Sequence, residues 1–325
     1  MDRPTLDELD RQIAHALQVD GRVPFSQVAT LLGTSDRTIA RRYQRLRSAG
    51  ALRVVGLPSA AALGHVDWLV RMRCPPDAAV PVAAALARRS DTSWVTIVSG
   101  GTEINCITRT GGLTEDGDLL LQKLPRTSRV TAVTAHCILR MVAGTNGWPG
   151  RTSALDPEQV AALAPPPGVI ARPGRQISLT AADSQLLAAL AKDGRTSYPA
   201  LAAATGWSET TVRRRLEELR DSQVLHFEVE IEPLLLGYPV EATAWLTVSP
   251  AALTPVTQAL ATHSQVGYAA AITGPANVAA SVICRDLDEL YDYLANRIGT
   301  LDGVAHTEMA PIVRRIKGPG ALPGS

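Results

Sequence analysis

The stretch LDELDRQIAHALQVDGR at residues 6–22 returns as LTAADSQLLAALAKDGR at residues 179–195. The match runs without a gap from Leu6–Gly64 onto Leu179–Gly237, so that every residue number rises by 173. Beyond it the offset drifts to 174–176, which still pairs Gly100 with Gly274. Self-similarity over such a length indicates two tandem copies of one structural unit.

A segment rich in glycine and proline separates the two copies. Thr145–Gln176 contains Pro165-Pro166-Pro167-Gly168 and is predicted to be a linker. Within it, Asp156–Leu163 is predicted to form a short helix with Asp156 as its N-cap. Gly318–Ser325 has a similar composition and is predicted to be a frayed tail.

Each copy opens with the pattern of three short helices. Asp-Gly-Arg at residues 20–22 and 193–195 ends the first helix, and its glycine is expected to supply a permissive turn. The third helix follows a tight glycine turn, with Ser35 or Ser208 as a good N-cap. An apolar strand comes next, so each copy is predicted to start with a helix-turn-helix module of winged-helix type.

The third helix is rich in arginine. Ile39, Tyr43 and Leu46 recur at helical spacing and are predicted to face the core, which leaves the arginines outside. Such a helix can enter the major groove of DNA, although a solvated charged face gives the same pattern. The predicted DNA-binding residues are Ser35, Arg37, Thr38, Arg41, Arg42, Arg45, Ser208, Thr210, Thr211, Arg213, Arg214 and Arg215.

The two arginine-rich helices differ in charge. Asp36–Ala49 holds five arginines and one acid, whereas Ser208–Ser222 holds four arginines and four acids. Because neutralisation of phosphates dominates affinity for DNA, the first module is predicted to bind DNA more strongly than the second.

The remainder of each copy alternates strands and helices in the order βαββαβ, including a predicted helix over Asp116–Leu124. This is the ferredoxin-like arrangement, an antiparallel sheet with helices on one face and a second face that needs a partner. The fold class is therefore predicted to be α+β, in two tandem units. The predicted divisions are helix-turn-helix domains at 1–56 and 178–230, ferredoxin-like domains at 57–144 and 231–318, and a linker at 145–177.

Composition narrows the function classes. The formal net charge is only +1, so binding of nucleic acid has to come from local patches. The four cysteines form no CxxC pair and the six histidines do not cluster, so neither a metal nor a cofactor is expected. No apolar stretch approaches the ~20 residues that cross a bilayer, and we expect a cytoplasmic protein without membrane contact.

On these residues the chain resembles the Lrp/AsnC (leucine-responsive regulator / asparagine-C) family, as a fused tandem duplicate. The resemblance rests on residues 6–13, Asp20-Gly21-Arg22 and residues 35–42, on their counterparts in copy two, and on residues 304–309. It implies a transcription regulator that binds double-stranded DNA. Its α/β domains would dimerise by pairing sheets, so that one fused chain supplies both halves, and would assemble further into a homo-oligomer.

The resemblance also implies an effector, an amino acid or another small metabolite, bound between α/β domains. The family typically has Gly-x-Tyr-Asp after the second strand, whereas this chain has Gly100-Gly101-Thr102-Glu103 and Gly274-Pro275-Ala276-Asn277. The candidate effector-binding residues are Gly100, Glu103, Gly274, Asn277 and Thr307. Gly100 and Gly274 can equally be turn glycines with no ligand.

Two other readings remain open. Siroheme decarboxylases share this two-domain scaffold, but they need a cluster of histidine and arginine that faces the porphyrin. Here His65 and Arg71 are predicted to be surface or rim residues, so an enzyme is not expected. The third reading is an architectural protein that bridges DNA without a ligand. No catalytic residues are proposed.

Overall fold

The computed structural model describes residues 6–111, 129–144, 153–164 and 178–321. The chain divides into two compact units, and each unit draws on both copies of the repeat. The helix-turn-helix unit joins Met1–Leu63 to Arg151–Leu236, and the α/β unit joins Gly64–Gly150 to Gly237–Ser325. The predicted α+β class is confirmed.

The helix-turn-helix unit repeats three helices and a strand, as predicted. In copy one these elements are α1 (Glu8–Val19), α2 (Phe25–Leu31), α3 (Asp36–Ser48) and β1 (Leu52–Pro58). In copy two they are α6 (Ala181–Lys192), α7 (Tyr198–Thr205), α8 (Glu209–Asp221) and β6 (Leu225–Ile231). The linker contributes α5 (Pro157–Leu163), whose N-cap is Asp156 as predicted.

Local sequence accounts for the start of the first helix in both copies. Asp7 caps α1 and Thr180 caps α6, and each forms a reciprocal capping box with the aspartate three residues later. Those two aspartates, Asp10 and Asp183, are completely buried, which is rare for a carboxylate without a charged partner. The capping boxes therefore fix two buried acids at the same place in both modules.

The glycines of the Asp-Gly-Arg turns are required for a different reason from the predicted one. Neither Gly21 nor Gly194 has a positive φ, so a permissive conformation is not what they supply. A Cβ on Gly21 would lie 2.6 Å from Cβ of Phe227, and one on Gly194 would lie 2.9 Å from the backbone carbon of Val55. The turns need glycine because the opposite module packs directly against them.

Two strands join the modules to each other. β1 and β6 pair antiparallel, in a register that runs from Leu52 opposite Ile231 to Pro58 opposite Leu225. The wing strand of each module thus obtains its hydrogen bonds from the other copy, so that one chain forms a paired arrangement of two helix-turn-helix modules.

The α/β unit holds one four-stranded sheet from each copy, and the described elements of copy two follow the order βαββαβ. Copy one contributes β2 (Val66–Arg73), α4 (Pro76–Ala87), β3 (Thr92–Val98), β4 (Glu103–Thr110) and β5 (Ala132–Ala143). Copy two contributes β7 (Val240–Val248), α9 (Leu253–Thr262), β8 (Val266–Ile272), β9 (Val278–Cys284), α10 (Leu287–Tyr293) and β10 (Val304–Arg315). The predicted helix at Asp116–Leu124 lies outside the described residues. After α10 the chain continues as a π-helical turn over Leu294–Ile298.

The two sheets close into one eight-stranded barrel. The strand order is β10-β3-β4-β2-β5-β8-β9-β7, so the long last strand of each copy pairs with the edge of the other copy's sheet. Separate apolar cores form under α4 in copy one and under α9 and α10 in copy two. The sheet faces turned away from the helices meet inside the barrel, where Leu69 of copy one packs with Trp245 of copy two. Each sheet is therefore the partner that the other was predicted to need.

Candidate nucleic-acid interface

The third helix of copy one separates into a buried side and an exposed side. Ile39, Tyr43 and Leu46 are buried, as predicted. At its N-terminus the hydroxyl of Ser35 accepts a hydrogen bond from the backbone N–H of Thr38 at 3.1 Å, and the two hydroxyls lie 2.9 Å apart. Ser35 therefore caps the helix and Thr38 contacts the cap, at the end that a recognition helix presents to base edges.

Two of the predicted arginines of α3 are engaged inside the module. Arg42 Nη1 donates to Asp7 Oδ2 at 2.6 Å and to Asp10 Oδ1 at 3.1 Å. Arg45 forms an ion pair with the other oxygen of Asp10. Because Asp10 is buried and its charge needs compensation, these two arginines hold α3 against α1. Their predicted role in DNA binding stays a prediction. Only the guanidinium N–H groups that are not bonded to aspartate could contact DNA.

Copy two repeats this arrangement with one arginine. Arg215 Nε donates to Asp183 Oδ1 at 2.7 Å, and Nη1 donates to Glu218 at 2.9 Å. Burial raises the pKa of Asp183, but hydrogen bonds from Arg215 and Thr180 outweigh this and leave it below its usual value. Asp183 is therefore a carboxylate at neutral pH, and Arg215 is its counter-ion.

The remaining arginines face solvent. Arg37 and Arg41 are exposed, stand one turn apart on α3, and have no side-chain partner among the described residues. The equivalent positions of α8 are Thr210 and Arg214, which are exposed too. Arg213 is partly engaged, since its guanidinium stacks 3.9 Å from the ring centre of Tyr198.

The exposed faces of the two helices thus differ in charge. Gln44 of α3 is replaced in α8 by the exposed acid Glu217, and Arg37 is replaced by Thr210. A phosphate backbone would meet two unpaired guanidiniums on α3, but a mixture of arginine and glutamate on α8. Ser208 caps α8 as Ser35 caps α3, and its hydroxyl lies 2.9 Å from that of Thr211.

Comparison with known families identifies both modules. The AsnC-type helix-turn-helix domain matches residues 6–47 and again 179–220, and the Lrp/AsnC ligand binding domain matches residues 241–322. The HTH-type transcriptional regulator LrpA of Pyrococcus horikoshii is 30% identical over 136 residues, which cover 96% of that protein and 42% of this chain. Regulatory protein AsnC of Escherichia coli is 31% identical over 142 residues, which cover 93% of it and 42% of this chain.

This chain belongs to the Lrp/AsnC family. The two relatives match over nearly their whole length but cover less than half of this chain, which fits a duplicated Lrp/AsnC protein. Among solved structures, the siroheme decarboxylase NirDL superposes with a TM-score of 0.63 over 98% of this chain and 95% of its own, at 15% identity. At that identity the likeness shows the shared fold and nothing further.

The turn of copy two that was predicted to bind an effector is filled by side chains of the chain itself. Gly274 has φ +113°, and a Cβ there would lie 2.4 Å from Nδ1 of His136. Asn277 is already bonded through both amide atoms to the backbone of Val248, at 2.8 and 2.7 Å. Gly100 also has a positive φ, and Thr307 is a half-buried residue of β10. The role of these residues in effector binding stays a prediction.

Glu103 belongs to a buried ion-pair network rather than to an open turn. Arg71 donates to Glu103 at 3.0 and 2.9 Å and to Glu308 at 3.1 and 2.7 Å. Its guanidinium lies 4.4 Å from the ring centre of Trp245. The side chain of Arg71 is only 13% exposed, so the prediction of a surface or rim residue was wrong. Its partner Glu308 is too distant in sequence for the local pattern to reveal it.

This network predicts a pH dependence. Hydrogen bonds from Arg71 hold the pKa of Glu308 below its usual value. A pKa that is lower in the folded state stabilises the fold fully above the unfolded value of about 4.3, and the contribution is lost as pH falls toward the folded value. We expect Glu308→Gln to make the fall in melting temperature between pH 5 and pH 3 shallower than in the wild type. Superimposable thermal melting profiles would contradict this.

Within residues 6–111, 129–144, 153–164 and 178–321, no three His, Cys, Asp or Glu side chains come together as a metal site would require. In the same part of the chain no helix combines the length and the apolar character needed to cross a membrane.

Proposed function

We propose that this Lrp/AsnC chain regulates transcription by binding double-stranded DNA as a built-in pseudo-dimer, with α3 as the dominant recognition helix. The observation that carries the proposal is the pair of exposed arginines, Arg37 and Arg41, that lack a described partner on the outer face of α3. In the same module Arg42 and Arg45 are occupied by aspartates, so the free guanidiniums are concentrated at the N-terminal half of the helix. A cytoplasmic location follows from the DNA target.

We assign α8 a supporting role. Arg214 and Arg213 supply positive charge, whereas Glu217 opposes a phosphate at the position of Gln44. Since like charges repel and phosphate contacts dominate affinity, the second module should hold the DNA weakly. The pairing of β1 with β6 keeps it beside the first module.

For the domains, we propose boundaries at 1–56, 57–144, 145–177, 178–230 and 231–318. For the α/β domains we propose assembly with further copies. Leu139 on β5 and Val313 on β10 occupy equivalent positions in the two copies, and both are 61% exposed, which supports an apolar contact there. An amino acid or another small metabolite as effector remains part of the proposal, although Asn277 and Glu103 would have to give up their present partners to bind it.

We propose no enzymatic activity. Tetrapyrrole chemistry would need free histidine and arginine side chains, and Arg71 is committed to Glu103 and Glu308. The fold shared with a siroheme decarboxylase does not by itself transfer the reaction.

The experiment is a salt series of the full-length chain on DNA from upstream of its own gene, with random DNA of equal length as control. If two modules make about six to ten phosphate contacts, affinity should fall about 10³–10⁵-fold between 50 and 200 mM salt. The upstream fragment should also be bound more tightly than random DNA at every salt concentration. Equal affinity for both fragments would contradict a sequence-specific regulator and favour the architectural reading.

A further inference from the structure

A small cavity lies between the two Asp-Gly-Arg turns of the helix-turn-helix unit. It has a volume of about 50 Å³ and is lined by Arg22 and Arg195, which are equivalent residues of the two copies. One water needs roughly 10–15 Å³ of such space, so the cavity holds more than a single water. Nothing in the proposed DNA-binding surface uses these two residues.

Backbone carbonyls of the opposite module fix both guanidiniums. Arg22 donates to the carbonyls of Gly194 at 2.6 Å and Thr196 at 3.1 Å. Arg195 donates to those of Gly21 at 2.8 Å and Val23 at 3.0 Å. Each guanidinium has five N–H donors and these bonds use two of them. A carbonyl orients a cation, but it does not neutralise the charge.

The nearest acids are already taken. Asp20 pairs with Arg220 at 3.0 Å and Asp193 pairs with Arg47 at 2.8 Å, and each of these arginines comes from the opposite copy. Among the described residues, no carboxylate is within ion-pair distance of Arg22 or Arg195. With the two lining arginines, the cluster holds four arginines and two aspartates, an excess of two positive charges.

Aromatic rings enclose the two cations. The guanidinium of Arg22 lies 5.0 Å from the ring centre of Tyr198, and that of Arg195 lies 4.2 Å from that of Phe25. Burial is the main cause that lowers the pKa of both guanidiniums. An arginine of the opposite copy lowers each pKa as well, while neighbouring tyrosine and aspartate side chains act in the opposite direction. An anion between them would relieve that repulsion, and a planar guanidinium fork matches the oxygens of an oxyanion.

We propose that a free oxyanion of the phosphate or sulfate class binds in this cavity and bridges Arg22 of one module to Arg195 of the other. Neither of the two arginines that line the cavity lies on a recognition helix. Its occupation would tighten the contact between the modules, because one ligand would then hold both Asp-Gly-Arg turns. The other source of the same chemistry is a phosphodiester of bound DNA, and the test separates the two.

The first arm measures the thermal stability of the full-length chain during titration with inorganic phosphate, against sodium chloride at matched ionic strength. At a phosphate concentration about tenfold above its Kd we expect the helix-turn-helix unit to melt about 3–6 °C higher. Equilibrium dialysis with labelled phosphate should give one ion per chain. A melting temperature that follows ionic strength alone would overturn the proposal.

The second arm uses variants and DNA. Arg22→Lys keeps the charge but removes the fork, and should weaken phosphate binding at least tenfold in dialysis. Arg285→Gln removes an exposed cation of the α/β unit, outside this cluster, and should retain the saturable response. With DNA present, phosphate at matched ionic strength should leave DNA affinity unchanged or raise it. Competition between phosphate and DNA would overturn the assignment to a free ion and give the cavity to the DNA backbone.

Discussion

Replacing Arg37 and Arg41 together by alanine should weaken DNA binding by at least about 30-fold, because each unpaired arginine at a DNA surface contributes roughly 1–3 kcal/mol. Both side chains are exposed and have no described partner, so the fold should be unaffected. The slope of log K against log salt should become shallower by up to about 2, since about one counterion is released for each phosphate contact. Affinity is measured by fluorescence anisotropy, and circular dichroism checks the fold.

The repeat supplies a matched control for this variant. Thr210→Ala/Arg214→Ala changes the equivalent positions of α8, where only one arginine is present and Glu217 opposes phosphate. We expect a loss of about tenfold or less, since one contact of roughly 1 kcal/mol is at stake. Equal losses of DNA affinity for the two double variants would contradict the dominance of α3. Unchanged affinity in both variants would show that neither helix contacts DNA.

Asp10→Asn should strongly destabilise the helix-turn-helix unit. Asp10 is completely buried and is the shared counter-ion of Arg42 and Arg45. Loss of one partner of a buried pair costs about 3–5 kcal/mol, and the partial exposure of both arginines places the expected loss near about 3 kcal/mol. A unit of this size loses about 2–4 °C per kcal/mol, so its melting temperature should fall by about 6–12 °C.

Two variants frame that result. Asp7→Asn changes the neighbouring acid, which is 55% exposed and whose capping role asparagine can fill, so the cost should stay below about 1 kcal/mol. Asp183→Asn removes the equivalent buried acid and should resemble Asp10→Asn, since Arg215 would lose its partner. If Asp10→Asn unfolds no earlier than Asp7→Asn, the buried ion pair is not what holds α3 against α1.

The repeat made much of the architecture predictable. Two gapless copies indicated the helix-turn-helix modules, and helical spacing placed Ile39, Tyr43 and Leu46 in the core, where the structure has them. Among the described residues the order of strands and helices also followed the prediction, because apolar alternation and turn residues are local signals. The closed barrel was not predicted; the sequence indicated only that one face of each sheet needed a partner.

Helical spacing places Arg42 and Arg215 close to the buried side of their helices, but the sequence alone does not identify the acid that each one meets. Arg41 and Arg42 are neighbours of the same residue type, yet only Arg42 points toward Asp10, which lies 32 positions earlier. A signal was nevertheless present, since Asp10 and Asp183 are acids at the same repeated position on the apolar side of a helix. A buried acid requires a cation. Arg42 and Arg215 are the arginines nearest the buried side of their helices, so they are the expected partners.

The largely buried side chain of Arg71 shows more clearly what the sequence could not predict. Its charged partner Glu308 lies 237 positions away in the other copy, and the two meet only because the sheets of the two copies close into one barrel. The Asp-Gly-Arg glycines are similar, since their requirement comes from Phe227 and Val55 rather than from their own φ. Long-range contacts of this kind are set by the tertiary structure.

We propose that one chain binds DNA as a built-in pair of unequal modules. Hydroxyl-radical footprinting at a measured ratio of protein to DNA tests this most directly. One chain per fragment should protect two tracts whose centres are about 10 base pairs apart or a multiple of that. Thr210→Ala/Arg214→Ala should weaken only one tract, and Arg37→Ala/Arg41→Ala should abolish both. A single protected tract, or protection that appears only with two chains per fragment, would contradict the account.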